Sequence, residues 1–255
     1  MCPDDESSID PSHPRYQSLK RRQRLVSAFK NGIVVPEGLI AQGRGEMFDY
    51  LLGEETLAPA LIAEQAAAAL LLLSKKPVIS VNGNLVALCP EEIVSLSKAT
   101  GAVIEVNLFH WTEGRAKLIR ELLDAKGARN VLAEDPDALL DGIHHDRAKC
   151  HSKGIFSADT VLVPLEDGDR ARALADMGKK VISIDLNPLS RTTLCATVSI
   201  VDEVTRALQN IVRFSNDLAD DEKRAGQIVG SFDNVKTMNA IYRQIADRFD
   251  KLAKA

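Results

Sequence analysis

Neither of the two common phosphate loops is present: the chain contains no G-x-G-x-x-G and no G-x-x-x-x-G-K-[ST] stretch, so any bound nucleotide is held by other means. No Ser-His-Asp signature or defined nucleophile stands out, which points away from covalent catalysis. The four cysteines, Cys2, Cys89, Cys150 and Cys195, lie far apart without a C-x-x-C pair and no secretory signal precedes them, so a reducing, cytoplasmic setting is expected. Long apolar runs are missing too. The stretch 66–73 is bounded by Glu64, Gln65, Lys75 and Lys76, well under the roughly 20 residues a bilayer needs, and reads as a buried helix. A net charge of -4 lacks the basic excess that a nucleic acid or an anionic membrane would require of a partner. Internal repeats and low-complexity tracts are also absent.

What the chain has is 255 residues, 45% of them hydrophobic, enough to bury a proper core. Residues 1–11 are acidic and proline-punctuated and are expected to be disordered, ahead of a single domain over 12–255. Its first part, 12–76, has a helical pattern at 16–30 and 56–74, with a loop through Gly38, Gly43 and Gly45 between them; only 33–35 offers a strand. After Pro77 the rhythm turns to strand and helix. Strands are expected at 78–81, 103–106, 130–133, 160–163, 181–184 and 197–201, with helices at 90–100, 113–126, 136–147 and 169–177. This is an α/β fold: a Rossmann-like, mainly parallel sheet with helices on both faces. Residues 202–255 are helical again, with Ile228, Val229, Phe232, Met238, Ile241, Ile245, Phe249 and Leu252 as an apolar stripe that either packs on the parent domain or builds a dimer interface.

The segment V-I-S-I-D-L-N-P-L-S-R-T at 181–192 carries the most chemistry. A buried strand runs into Asp185, suited to ribose hydroxyls, then Asn187, then Ser190, Arg191 and Thr192 as phosphate donors. In open α/β sheets ligands sit at such strand tips. Three other tips are polar: Asn82-Gly83-Asn84, Asn107, and Glu166-Asp167-Gly168-Asp169. Singly, each reads as a turn or a helix cap; four converging on one sheet edge read as a binding site. In 38–49 Arg44 lies between two glycines, letting backbone N–H groups and a guanidinium approach one anion, and Arg115 is a further phosphate candidate. The basic run Lys20, Arg21, Arg22, Arg24 is either a solvated helix face or a source of one phosphate contact. His144, His145, Cys150 and His151 match no regular zinc spacing, which argues against a metal there.

Several stretches together carry a resemblance: S-H-P-R-Y at 12–16, G-L-I-A-Q-G-R-G-E-M-F-D-Y-L-L-G-E at 38–54, V-I-S-V-N-G-N at 78–84, E-V-N-L-F at 105–109, A-D-T-V-L-V-P-L-E-D-G-D-R at 158–170 and I-D-L-N-P-L-S-R-T at 184–192. They resemble the archaeal-type phosphopantothenate synthetases. The likeness spans about residues 12–210; where that pattern has an arginine before Thr112, this chain has Trp111. The resemblance implies a homodimeric, Mg²⁺-dependent ligase of coenzyme A biosynthesis that joins 4-phosphopantoate to β-alanine while ATP goes to AMP and pyrophosphate. It also implies nucleotide contacts at Arg22, Arg44, Asp185, Leu186, Asn187, Arg191, Thr192, Glu203 and Val204. The remaining tips are assigned by position: Asn82, Asn84 and Asn107 around phosphopantoate, with Glu166, Asp167 or Asp169 holding Mg²⁺ or the β-alanine ammonium. Arg44, Asn84 and Asp167 are the expected catalytic groups. Two rivals stand beside this reading, a Rossmann-type NAD-dependent oxidoreductase and a non-catalytic nucleotide-binding protein.

Overall fold

The computed structural model describes residues 9–254. The disorder expected for 1–11 falls, over 1–8, outside the described residues; just beyond, the Asp10 carboxylate accepts from the Ser12 N–H and hydroxyl at 2.8 Å each. Three helices come first, α1 (Tyr16–Lys30), α2 (Pro36–Leu52) and α3 (Ala58–Leu73). There follow β1 (Pro77–Val81), α4 (Gly83–Leu88), α5 (Pro90–Thr100), β2 (Val103–Val106), α6 (Glu113–Ala125) and the short pair β3 (Ala138–Leu139) and β4 (Lys149–Cys150). Then come β5 (Thr160–Pro164), α7 (Gly168–Asp176), β6 (Lys180–Ile184), α8 (Arg191–Cys195), β7 (Val198–Ile200), α9 (Val204–Leu218), α10 (Glu222–Ser231) and α11 (Asn234–Ala253).

The main sheet has five parallel strands in the order β2-β1-β5-β6-β7. Every residue of β1 and β5 is buried, which is why their sequences are continuous apolar runs and not alternating ones. Successive residues point to opposite faces. Ile79, Leu162 and Ile182 enter the core built with α3, α5 and α9, and Val78, Val161 and Val181 enter the core under α7. The chain leaves β1 toward β2 on one side and returns to β5 on the other. The strand order therefore reverses between β1 and β5, and the carboxyl ends there open a crevice. Among the described residues no helix is long and apolar enough to cross a membrane.

Four expectations are corrected. The glycine-rich stretch 38–49 is not a loop but the body of α2, begun by Pro36 and ended by Gly53 at φ 101°. Helix-interior glycines cost about 1 kcal/mol each. On α2 the helix is tied to the rest of the fold by ion pairs, Glu46 with Arg22 at 2.6 Å and Asp49 with Arg206 at 2.6 Å. Residues 33–35 form no strand, because the Ile33 and Val34 N–H groups both turn back to the Ala28 carbonyl and close α1. The strand expected at 130–133 shrinks to one bridge, Leu132 beside Glu105, between positive-φ Asn130 and Asp135. Finally, 136–147 is not helical. Ala138–Leu139 pairs with Lys149–Cys150 across a turn at Gly142, with Asp146–Ala148 a single 3-10 turn. Leu139 is exposed on this short pair while Leu140, just beyond it, is buried and donates its N–H to the Ala148 carbonyl at 2.8 Å.

Candidate active site

A cleft of about 630 Å³ opens over the carboxyl ends of the sheet, with α2 as one wall. All five strand tips reach it: Asn82 to Asn84 after β1, Leu108 to His110 after β2, Leu165 to Asp169 after β5, Asp185 to Thr192 after β6 and Asp202 to Val204 after β7. Asn82 stitches the crevice shut at its base. Its Oδ1 caps α4 by accepting from Leu85 N at 3.0 Å, and its Nδ2 donates to the carbonyls of Pro164 at 3.0 Å and Leu165 at 3.3 Å. The cap reading of that asparagine holds, and its amide is otherwise spent on joining the β1 and β5 tips. Asn84 donates to the Gly38 carbonyl at 2.8 Å, tying α2 to the β1 tip; a Cβ on Gly38 would overlap the Asn84 Oδ1.

At the β6 tip, Asp185 accepts from Asn187 N at 2.9 Å and Asn187 accepts from Leu189 N at 3.0 Å. Burial pushes the Asp185 carboxyl up; a hydrogen bond from Ser190, the Asn187 N–H and the Arg44 charge pull the other way. Arg44 reaches this end of the cleft from α2. It is exposed and forms no ion pair among the described residues. Its neighbouring glycines lie inside the helix, so the guanidinium acts without the backbone N–H cradle expected of a Gly-Arg-Gly loop. Arg191, exposed at the start of α8, lies against Gly168 at the start of α7, and the Thr192 hydroxyl joins the same two tips by donating to the Glu166 carbonyl at 2.9 Å. Leu186 and Val204 are buried side chains that border the cleft, and Glu203 caps α9 by accepting from Thr205 N at 2.9 Å.

The acidic tip after β5 divides. Glu166 is fully engaged by two arginines, Arg147 on one oxygen and Arg170 on the other, with only 1% of its side chain exposed. That commitment leaves it nothing to hold a cation with. Asp167 faces Arg147 Nε at 2.9 Å; burial pushes its carboxyl up against the pull of that guanidinium, with Glu166 and Asp169 adding to the rise. Burial also works against the Asp169 charge, but the hydrogen bond from His145, at 3.1 Å, and nearby backbone N–H groups hold its carboxyl below the usual range.

Two expected residues stand outside the cleft. Arg22 is half exposed on α1 and clasps Glu46 through Nε at 2.9 Å and Nη2 at 2.6 Å. Asn107 is buried, its Nδ2 donating to the carbonyls of Arg147 at 3.3 Å and Lys149 at 2.9 Å, so it supports the 146–149 segment instead of facing phosphopantoate. The sequence reading missed Arg147 because it took 136–147 for a helix. Asp202, also missed, sits at the β7 tip and was open to the strand-tip rule. Behind the β7 tip lies a buried charge network: Arg206 bonds Asp49 at 2.6 Å and Asp202 at 2.7 Å, and Arg21 approaches Asp49 and Glu203 at 3.5 Å each. Glu64 is buried beside it, its carboxyl pushed up by burial and by Asp202, with Asn210 donating to it at 2.9 Å. Of the histidine and cysteine cluster, His145 meets Asp169, His151 meets Glu105 at 3.4 Å, and Cys150 is buried.

The family described as phosphopantothenate/pantothenate synthetase matches residues 59–248. The chain belongs to that family. A 4-phosphopantoate--beta-alanine ligase of Methanosarcina mazei is 51% identical over 248 residues, covering 97% of this chain and 98% of the relative. Ligases of the same name from Methanospirillum hungatei and Thermococcus kodakarensis are 58% identical over 214 residues and 45% identical over 249 residues. These cover 84% and 97% of this chain, and 87% and 95% of the relatives. As a phosphopantothenate/pantothenate synthetase family member the chain is an enzyme of the ligase class, and neither the oxidoreductase nor the non-catalytic alternative is favoured.

Proposed function

We propose that this chain condenses 4-phosphopantoate with β-alanine, using ATP, and works as a homodimer in which 12–255 form one catalytic unit in the cytoplasm. The observation that carries the reading is the convergence of five strand tips on one cleft furnished with unpaired arginines, amides and acids but no activated nucleophile. Such a set suits a reaction that needs charge stabilisation and alignment more than a protein nucleophile. The carboxylate of the acid attacks the α-phosphorus of ATP, the bond to pyrophosphate breaks, and an acyl-adenylate forms. The β-alanine nitrogen then attacks the acyl carbon, AMP leaves with the bonding pair, and the amine gives up a proton.

In this scheme Asp185 takes the ribose hydroxyls, and Arg44 and Arg191 take nucleotide phosphate charge at the β6 end. Glu203 and Val204 border the same region, and Thr192 holds the tips in register. Arg22 serves by fixing α2 through Glu46. The β-alanine ammonium is received at the acidic tip after β5. Mg²⁺ usually keeps several waters and needs one or two carboxylates plus substrate phosphates. Asp167 and Asp169, adjacent on the cleft wall, fit that modest demand, and when bound the ion would neutralise phosphate charge. The dimer reading is supported by α11, where Met238 and Ile241 are buried but Phe249 and Leu252 stay exposed at 50% and 66%. The test is isotope exchange with β-alanine omitted: labelled pyrophosphate should enter ATP only when 4-phosphopantoate is present. Absence of exchange at high enzyme, or ADP as product, would overturn the adenylate scheme.

A further inference from the structure

We infer that Arg115 seats the phosphoryl group of the acid substrate, at the β1–β2 end of the cleft, and thereby selects a phosphorylated hydroxy acid over its unphosphorylated counterpart. The inference rests on the ligase reading above and adds the residue that sets its substrate class.

Arg115 is a cation without a carboxylate. Its Nε donates to the Ile33 carbonyl at 2.9 Å and its Nη1 to the His110 carbonyl at 2.9 Å, and no Asp or Glu among the described residues forms an ion pair with it. These two carbonyls hold the plane of the guanidinium rigid, while Nη2 has no hydrogen-bond partner among the described residues. That free nitrogen lies beside Gly83, where a Cβ would stand 2.8 Å from it and overlap the Ile33 carbonyl oxygen. A side chain at 83 would fill the space the guanidinium uses. The group borders the cleft together with Asn84 and Arg147. Burial, and then the like charge of Arg147, lower its pKa, and only the exposed Glu37 acts in the other direction. A dianion placed here would relieve both penalties at once.

The other arginines of the cleft are otherwise disposed. Arg147 is neutralised by Glu166 and Asp167. Arg44 and Arg191 lie at the far end: Arg44 acts on Asp185, and Arg191 abuts Gly168. Helix α2 measures the separation. Gly38 touches Asn84 at the β1 tip, and Gly45 lies 3.8 Å, by its would-be Cβ, from Leu186 at the β6 tip. The seven helical steps from one to the other span about 10 Å. An acid phosphorylated on its far carbon bridges such a gap with its carboxylate toward the nucleotide end, where that carboxylate must react. Reversing it would put the reacting group out of reach of ATP.

The experiment compares wild type, Arg115→Met and Arg115→Lys, measuring kcat/KM with 4-phosphopantoate and with pantoate, and the Kd of ATP and of 4-phosphopantoate by calorimetry. Removing a charge-assisted, bidentate-capable contact should lower kcat/KM for 4-phosphopantoate about a hundred-fold or more, with less than about a three-fold change for pantoate. ATP binding should be unchanged in R115M, which also reports an intact fold. If R115M fails to bind ATP, R115K carries the test, since an ammonium keeps the charge without the fork and should lose about ten-fold on the phosphorylated acid alone. Equal losses on both acids, or unchanged use of 4-phosphopantoate, would overturn the assignment. Should wild type join neither acid to β-alanine, the ligase reading fails. The subsite then stands or falls on whether R115M weakens 4-phosphopantoate binding.

Discussion

Replacing Gly168 by alanine tests whether the two phosphate-side strand tips must touch. A Cβ at 168 would overlap the Arg191 Cβ and sit 3.2 Å from the Arg191 Cα and carbonyl carbon. These are backbone and near-backbone atoms, so no flexible side-chain end can swing aside. The start of α8 must move away from the start of α7, and the 2.9 Å bond from the Thr192 hydroxyl to the Glu166 carbonyl stretches with it. Overpacking of this kind and loss of one buried hydrogen bond together cost about 2–4 kcal/mol. That is a large share of the roughly 5–15 kcal/mol by which a domain is stable. The functional cost follows from displacement: moving Arg191 by about 1 Å should reduce turnover on the order of a hundred-fold. Gly43→Ala is the control. A Cβ there meets nothing within 4 Å, so the helix should gain about 0.5–1 kcal/mol. Urea unfolding and ATP titration of both variants give the answer. G168A with wild-type stability and wild-type ATP affinity would show that the α7–α8 approach is not a constraint on the site.

Arg44→Ala should fold normally, because the side chain is exposed and unpaired, yet lose most ligase turnover; wild-type turnover in a well-folded variant would remove Arg44 from the site. Asp185→Ala should weaken ATP binding by about ten-fold or more, and less for 2′,3′-dideoxy-ATP; equal losses for both nucleotides would refute the ribose assignment. For Glu64 the folded pKa lies above the unfolded value, so its contribution is fully present below the ordinary carboxyl range and is lost as pH rises toward the folded pKa. Glu64→Gln, a neutral isostere, should therefore gain stability over wild type as pH is raised from 5 to 8, approximately by relieving this loss. Parallel urea curves at the two pH values check it, and an unchanged difference would show that Glu64 is not held protonated.

The sequence by itself determined the features whose causes are local. Apolar runs at 78–81, 160–163 and 181–184 are strands buried on both faces, and Thr112 caps α6 by accepting from Arg115 N at 3.3 Å, as its position before an acidic first turn implies. The polar residues that end those strands, Asn82, Asp167, Asp185 and Arg191, were legible for the same reason: chain direction in a parallel sheet sends every strand tip to one edge. Tertiary structure decided what depends on partners distant in sequence. Helix α2 runs through three glycines, and its Glu46 and Asp49 are tied down by Arg22 and Arg206, the latter 157 positions from Asp49. Glu166 and Asn107 look like ligands in the sequence, but one is saturated by Arg147 and Arg170 and the other is spent on the carbonyls of 147 and 149. Arg115 was legible as a phosphate candidate, but only the fold brings the Ile33 and His110 carbonyls to two of its nitrogens and leaves the third without a hydrogen-bond partner among the described residues, at the cleft. A side chain's type sets which bonds it can make, whereas only the packed chain sets which of them are already made.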